Sequence, residues 1–574
     1  MLDHPALREQ IITYIGNKRR LLSFVREGIV ELLREEGVSV DAGGSDVGPL
    51  FGSGETVETA GPPAKPPRFL DAFAGSGVVS RMARLMGLKV HSNDLEQYAA
   101  PLIRPFLTVA PGEAEQLFRE PAERLSLAGG NAYHATLNYL NSLEEPQEPG
   151  AHYFALHYAP ARTNEADPDR ERLFYTQENA LKIDAILELL NGPAFCDGDG
   201  TPYAAGRARE IVLASLLYEM SVHINTSGVM KGYHRGWGGR GGDALLRIMA
   251  PIELSPLPLI DGPTGSVSTG PAEDLFERLD LPEQEIIYAD PPYNSHQYGS
   301  NYHLLTSAVL YDRYDPGPVI RGARAGIRRD HNRSAFCRSL RDAESGSREC
   351  EAAFERFVAS LRGKYLLVSY NTDGLIPPER MARILARGGR NRVGVRIRDH
   401  VKFRGGKNTQ SGRRTRELLY RVDLNRRNIT TDLDGVVALV AREERLGRLT
   451  DSYVEPAALP WSFREGAAPG ERVYRNREGT PILRLARSFR VLEVYAAGGE
   501  EAALTILEAA RLEKPQLMER YIAEGMVEEA LHVLRSFKIR KYRREFIDFA
   551  GRIREIANPD QRRRLEKMVE HYRV

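Results

Sequence analysis

An α/β fold is predicted by three stretches of this chain. Residues 69–94 read as one strand–turn–helix–strand unit, close to the usual length of a βαβ motif. A short apolar run, Ile286-Ile287-Tyr288-Ala289, is cut off by Asp290-Pro291-Pro292-Tyr293, because two prolines cannot continue a ladder. A third buried-strand pattern, Tyr365-Leu366-Leu367-Val368, runs into Ser369-Tyr370-Asn371.

The elements follow in order. Residues 6–36 place Leu7, Ile11, Ile12, Ile15, Leu21, Leu22, Val25, Ile29 and Leu32 at helical intervals, with a turn at Gly16-Asn17. Residues 41–67 are rich in Gly and Pro and poor in large apolar side chains, and read as a flexible insert. Phe69–Phe73 is a strand, Ala74–Gly77 a turn, Val78–Met86 a helix that stops at Gly87, and Leu88–Ser92 the next strand, ending at Asn93-Asp94. Helices are expected within 172–192 and over Glu210–His223. Residues 397–422 read as two strands around Val401 and Leu418-Leu419-Tyr420. Strand-like pieces recur over 435–497, among them Val436–Val440 and Val491–Tyr495, and 500–574 reads as wholly helical.

Composition sets the outer bounds. A chain of 574 residues is too long for one compact core. No apolar run is long enough to cross a bilayer, and no basic-then-apolar leader opens the sequence. Cys196, Cys337 and Cys350 form no CxxC pair, which argues against a zinc cluster or a disulfide framework and favours a reducing cytoplasm. Net charge is +1, so nucleic-acid binding would have to come from local patches.

The chemistry concentrates at two strand ends. In open α/β sheets ligands bind at the carboxyl ends of strands. There Asp290 offers a carboxylate, the prolines a stiff turn and Tyr293 an aromatic face, a set suited to the exocyclic amine of a planar base. Gly75 and Gly77 allow close backbone approach to a ligand, and Asp94 stands where an acid accepts both hydroxyls of a ribose. Ser80 occupies the third position of the dinucleotide fingerprint, which points to a nucleoside ligand other than NAD.

Tyr14-Ile15-Gly16-Asn17-Lys18, Asp71-Ala72-Phe73-Ala74-Gly75-Ser76-Gly77, Asn93-Asp94 and Asp290–Tyr293 occur in the order used by Dam-like (class alpha) adenine-N6 DNA methyltransferases, and the chain resembles that family over roughly residues 10–425. The resemblance implies the S-adenosylmethionine-dependent methyltransferase fold: a mostly parallel seven-stranded sheet with helices on both faces. It implies S-adenosylmethionine as cofactor, held by Tyr14, Lys18, Asp71, Gly75, Gly77, Asp94 and Asp290, with Asp290, Pro291, Pro292 and Tyr293 as catalytic residues and no metal. The substrate implied is adenine in double-stranded DNA, flipped out for access. The enzyme is expected to act as a monomer, and the resemblance leaves room for a companion restriction endonuclease.

On this reading residues 1–104 are the cofactor-binding part, 105–265 an inserted target-recognition region, 266–425 the catalytic part and 426–574 an accessory C-terminal region, helical from about 500. The glycine-, aromatic- and cation-rich segment 223–240 is expected to touch DNA through Lys231, Arg235 and Arg240, and the loop after the tetrapeptide through Asn294 and Tyr298. Arg321, Arg324, Arg328, Arg329 and Arg333 form a second basic cluster placed to track the DNA backbone. Further basic residues lie in the loop between the strands of 397–422 (Arg404, Lys407, Arg413, Arg414, Arg416) and at 538–544. Asn371 and Asp373 either line the pocket or form a structural turn. The family's acid for the cofactor adenine has no clear counterpart: Pro271 stands in its place, with Glu273 and Asp274 nearby. Three alternatives stay open: methylation of the cytosine N4 amine, an RNA substrate, and a non-catalytic DNA-binding regulator on the same fold.

Overall fold

The computed structural model describes residues 1–38, 65–127, 129–148, 150–196, 206–239, 242, 244–319, 324–340, 348–387, 391–401, 414–424, 433–450, 452–466, 468, 470–495, 500–537 and 543–573. The expected insert at 41–67 therefore lies outside the described residues up to position 64. The chain divides into two compact units, Met1–Arg398 with Glu417–Ala438, and Asp399–Arg416 with Leu439–Val574.

The first unit is built on a seven-stranded sheet. Its strands are β1 (Arg68–Asp71), β2 (Lys89–Asp94), β3 (Ser266–Thr269), β4 (Gln284–Ala289), β5 (Gly363–Asn371), β6 (Arg392–Val401) and β7 (Arg414–Asp423), in the spatial order β3-β2-β1-β4-β5-β7-β6. Pairings from β3 to β5 are parallel, and β7 runs antiparallel to β5. The chain winds outward one way from β1 through β2 to β3, then resumes on the other side at β4. The gap between the carboxyl ends of β1 and β4 is thus the topological switch point, where such sheets bind ligands. The register sets Asp71 opposite Tyr288, two residues before Asp290.

Helix α1 (Leu22–Glu35) buries Leu22, Val25, Ile29, Leu32 and Leu33 against this sheet. Gly28 is required for that close approach, since a Cβ there would lie 2.8 Å from Leu419 Cδ2. α1 also carries acids that pair with arginines of β6 and β7: Glu27 with Arg398 at 3.2 Å, Glu31 with Arg396 at 2.8 Å, and Glu35 with the buried Arg421.

The helix expected over 6–36 begins only at Leu22; the preceding residues hold short 3-10 turns at Pro5–Leu7 and Lys18–Leu21. Tertiary contacts override the apolar spacing there. Ile15 N–H donates to the Tyr302 hydroxyl at 2.8 Å, Tyr14 stacks on Tyr302 at 4.9 Å between ring centres, and Arg81 takes the Ala6 and Gln10 carbonyls.

Helix α2 (Val78–Leu85) links β1 to β2, and α3 (Ala99–Thr108) follows β2. The return to β3 is a long helical excursion that includes Ala114–Arg124, Ala132–Ser142, Gln177–Leu190 and Arg207–Val222. These helices share one continuous apolar core with the sheet, including Leu137, Ile186 and Leu216. The excursion is therefore built into the same body rather than hung on a linker.

The second unit holds an antiparallel meander, β8 (Ser462–Glu465), β9 (Arg472–Arg475), β10 (Pro481–Leu485) and β11 (Val491–Val494). Among the described residues, five α-helices follow between Glu500 and Arg573. The strand expected at Val436–Val440 is instead part of a helix, Leu433–Leu449. A short β-branched run does not fix its own period; here the following Ala441-Arg442-Glu443-Glu444-Arg445-Leu446 extends it as helix and buries Val440, Leu446 and Leu449.

Candidate active site

The switch point opens a cavity lined by Tyr14, Gly16, Lys18, Asp71, Gly75, Asp94, Glu96, Asp290, Pro291, Pro292, Tyr293 and Tyr298, with about 740 Å³ of open space. Four sequence-distant segments meet in it.

β1 delivers Asp71, which is buried and accepts the Ser80 hydroxyl at 2.6 Å. Burial, partly offset by that hydrogen bond and reinforced by the charges of Asp290 and Asp94, pushes the Asp71 carboxyl up to about 7. The turn after β1 is pinned by Phe73, set edge-on against Phe336 and Phe357. Gly75 has φ +54°, and a Cβ on it would lie 2.8 Å from Tyr14 Cε1.

β2 delivers Asp94. Its Oδ2 accepts Gly75 N–H and its Oδ1 accepts Glu96 N–H, both at 2.8 Å. Burial raises its carboxyl above the ordinary value, with these amides opposing. Glu96 is a wall residue that the sequence reading missed; it is 4% exposed, and burial together with the Asp94 charge pushes it up to about 8. A second acid two residues beyond the strand-end acid was the available signal.

β4 delivers Asp290, whose Oδ1 lies 2.8 Å from Lys18 Nζ. Burial raises the Asp290 carboxyl, and Lys18 opposes that rise. Lys18 is itself buried. Desolvation alone would lower it, but Asp290, Glu417 and Tyr293 outweigh this and hold the ammonium charged. The Tyr293 ring sits beneath that ammonium at 5.4 Å and meets Tyr370 edge-on, and its carbonyl accepts Leu375 N–H at 3.1 Å.

Most of the residues singled out from sequence thus converge. Gly77 does not line the cavity; it caps α2 at φ +77° and faces Ile103, whose Cγ1 would lie 2.6 Å from a Cβ. Tyr298 stacks on Tyr14 at 5.2 Å in the cavity wall, while the Asn294 side chain accepts His296 N–H at 3.0 Å. Asn371 Oδ1 accepts Asp373 N–H at 3.1 Å, and neither residue lines the cavity. Asp274 pairs with Arg278, and it and Glu273 also lie outside the wall.

Arg235 pairs with Asp169, Lys231 is exposed, and Arg240 lies outside the described residues. The second basic cluster is divided. Arg321 lies outside the described residues, and Arg329 and Arg333 are exposed. Arg328 is 1% exposed and bound to Asp312 and Asp330, so it holds the fold together rather than facing DNA. In the hairpin, Arg416 pairs with Glu443 at 3.0 Å, and Arg404, Lys407 and Arg413 lie outside the described residues, as do 538–542.

Residues 60–315 match the family of D12 class N6 adenine-specific DNA methyltransferases. Over that span the chain is similar to this family. The Type II methyltransferase M.NlaIII of Neisseria lactamica is 28% identical over 327 residues, covering 56% of this chain and 80% of that protein. The Type II methyltransferase M.CviAII of Paramecium bursaria Chlorella virus 1 is 25% identical over 338 residues, covering 59% of this chain and 84% of that protein. The Type II methyltransferase M.FokI of Planomicrobium okeanokoites is 26% identical over 326 residues, and this chain spans 43% of its length. No solved structure matches. The switch-point cavity lies where open α/β sheets bind ligands, and no helix among the described residues is long and apolar enough to cross a membrane.

Proposed function

We propose that the chain is a site-specific DNA methyltransferase that moves a methyl group from S-adenosylmethionine to the N6 amine of an adenine flipped out of duplex DNA. The observation that supports it most is the meeting of the Lys18–Asp290 pair and Tyr293 with the Gly75–Asp94 cradle in one cavity. The wall fits the donor. Gly75 leaves open the space a Cβ would fill, and each Asp94 oxygen, having accepted one amide, keeps a lone pair for a ribose hydroxyl. Tyr14, Lys18, Asp71, Gly75 and Asp94 would hold it. When bound, S-adenosylmethionine supplies an electrophilic methyl group.

The residues then act on the amine. Its lone pair is delocalised into the ring, so it needs to be drawn toward a tetrahedral form. Asp290, paired with the Lys18 ammonium, accepts one N–H, and the backbone carbonyl beside Pro291 accepts the other. Tyr293 stacks on the extruded ring. Positioning and local electrostatics supply the rate, and no enzyme-bound covalent intermediate is needed. The proton leaves to water after transfer, so His296 is not required as a base.

In this reading the partner is double-stranded DNA, contacted through Lys231, Arg235, Arg240 and Asn294 and bound by a cytoplasmic monomer. A companion restriction endonuclease is its counterpart. Incubation with methyl-labelled S-adenosylmethionine and duplex DNA, followed by mapping of the modified position, tests it. Label is expected in DNA at one recurring sequence, and duplex DNA left unlabelled overturns the reading.

A further inference from the structure

Two basic segments far apart in the sequence meet on one groove. Lys231, Tyr233 and Arg235 form one wall, and Tyr314, Arg324 and Arg329 the other, around about 1,390 Å³ of open space. The walls are held by buried arginines. Arg172 donates to the carbonyls of Arg324 at 2.8 Å, Gly317 at 2.7 Å and His157 at 3.1 Å. Arg328 grips Asp312 and Asp330 and lies 4.7 Å from the Tyr314 ring centre. The groove also adjoins the helical segment that follows the tetrapeptide: Met230, the neighbour of Lys231, donates its N–H to Asn301 O at 2.7 Å, and its carbonyl meets His303 Nε2 at 2.9 Å.

Its charges are arranged unevenly. The side chains of Lys231 and Arg329 have no ion-pair partner among the described residues. Arg235 and Arg324 instead converge on one carboxylate, Asp169, at 2.6 and 2.8 Å. That carboxylate is more than half exposed, and exposed pairs contribute little net stability. One anion bridging two guanidinium groups is also how arginines hold a phosphate. The groove's own acid, Asp315, accepts Gly317 N–H at 2.8 Å and is outnumbered by Lys231, Arg235, Arg324 and Arg329 in the lining.

We propose that this groove binds the phosphodiester backbone of the DNA strand beside the catalytic mouth, and that Asp169 holds the place of a phosphate until DNA displaces it. The proposal rests on the DNA reading above and adds a built-in competitor to it. A protein with such a placeholder binds duplex DNA less tightly than its cations alone would allow, most of all at low salt, where counterion release is strongest.

The test is binding of the full chain to a short random-sequence duplex by fluorescence anisotropy from about 50 to 200 mM salt, with methyl transfer measured in parallel. Asp169→Asn is expected to tighten binding about threefold or more at low salt and to steepen the salt dependence by about one phosphate contact. Lys231→Glu and Arg324→Gln are expected to weaken binding, and Lys231→Glu to flatten the slope by about one. Binding that Asp169→Asn leaves unchanged or weakens, or a slope that Lys231→Glu does not alter, overturns the proposal. If the wild type methylates DNA while the variants bind as it does, the groove falls alone; if the wild type neither binds nor methylates DNA, the DNA reading falls with it.

Discussion

The ammonium of Lys18 lies 2.8 Å from Oδ1 of Asp290, although the two residues are 272 positions apart and both belong to one cavity wall. Burial favours the neutral acid at Asp290, and Lys18 is the nearest opposing charge. Removing Lys18 therefore moves the Asp290 carboxyl further up. If the carboxylate form is the working one, Lys18→Met is expected to lower kcat on the order of 10²-fold and to move the acidic limb of the pH–rate profile to higher pH. An unmoved limb in the variant contradicts this role.

The two glycines of the turn after β1 are expected to fail differently. Gly75→Ala drives a methyl against Tyr14 at the cavity wall, so donor affinity drops about tenfold, equivalent to about 1.4 kcal/mol. Both variants place alanine at a positive φ, but Gly77→Ala collides with Ile103 in the core and away from the cavity, so its cost of about 1–3 kcal/mol appears in stability and not in donor affinity. Thermal melts and donor titration calorimetry on both variants separate the two effects.

Asp94 fastens the turn after β1 to the loop after β2 through Gly75 and Glu96. Asp94→Ala loses a charge-assisted acceptor worth about 1.5–3 kcal/mol, so donor binding is expected to weaken by at least about tenfold. Titration calorimetry at a pH near 8 reads this, and unchanged affinity refutes the assignment.

Asp71 carries a signature in stability. Its carboxyl titrates at about 7 when folded and near 4 when unfolded. The folded state thus holds that proton more tightly, which favours folding below about pH 4 and is lost as pH rises through about 7. Asp71→Asn removes the dependence. The melting temperature of the variant relative to the wild type is expected to climb between those limits and level off above them. Parallel curves would show that burial of Asp71 has no such effect.

Much of the site was legible because its chemistry sits at strand ends. Asp71 and Asp290 each close or follow an apolar run, Asp94 ends the strand that follows the helix stop at Gly87, and the sheet order then gathers all three. What sequence concealed was set by tertiary contacts. The segment around Tyr14 has helical apolar spacing, yet stacking on Tyr302 and the Ile15–Tyr302 hydrogen bond hold it open. Arg328 and Arg329 are neighbours of the same type; only the placement of Asp312 and Asp330 makes one a buried brace and leaves the other exposed. Val436–Val440 reads as strand until the helix formers after it are counted in the same element.

Product analysis tests the central claim most directly. Duplex DNA treated with S-adenosylmethionine and either the wild type or Asp290→Ala is digested to nucleosides and resolved by mass spectrometry, with thermal melts confirming that the variant is folded. N6-methyladenine from the wild type, and its loss by a factor on the order of 10³ or more in the variant, is the expected result. N4-methylcytosine as the product, or undiminished methylation by folded Asp290→Ala, would contradict it.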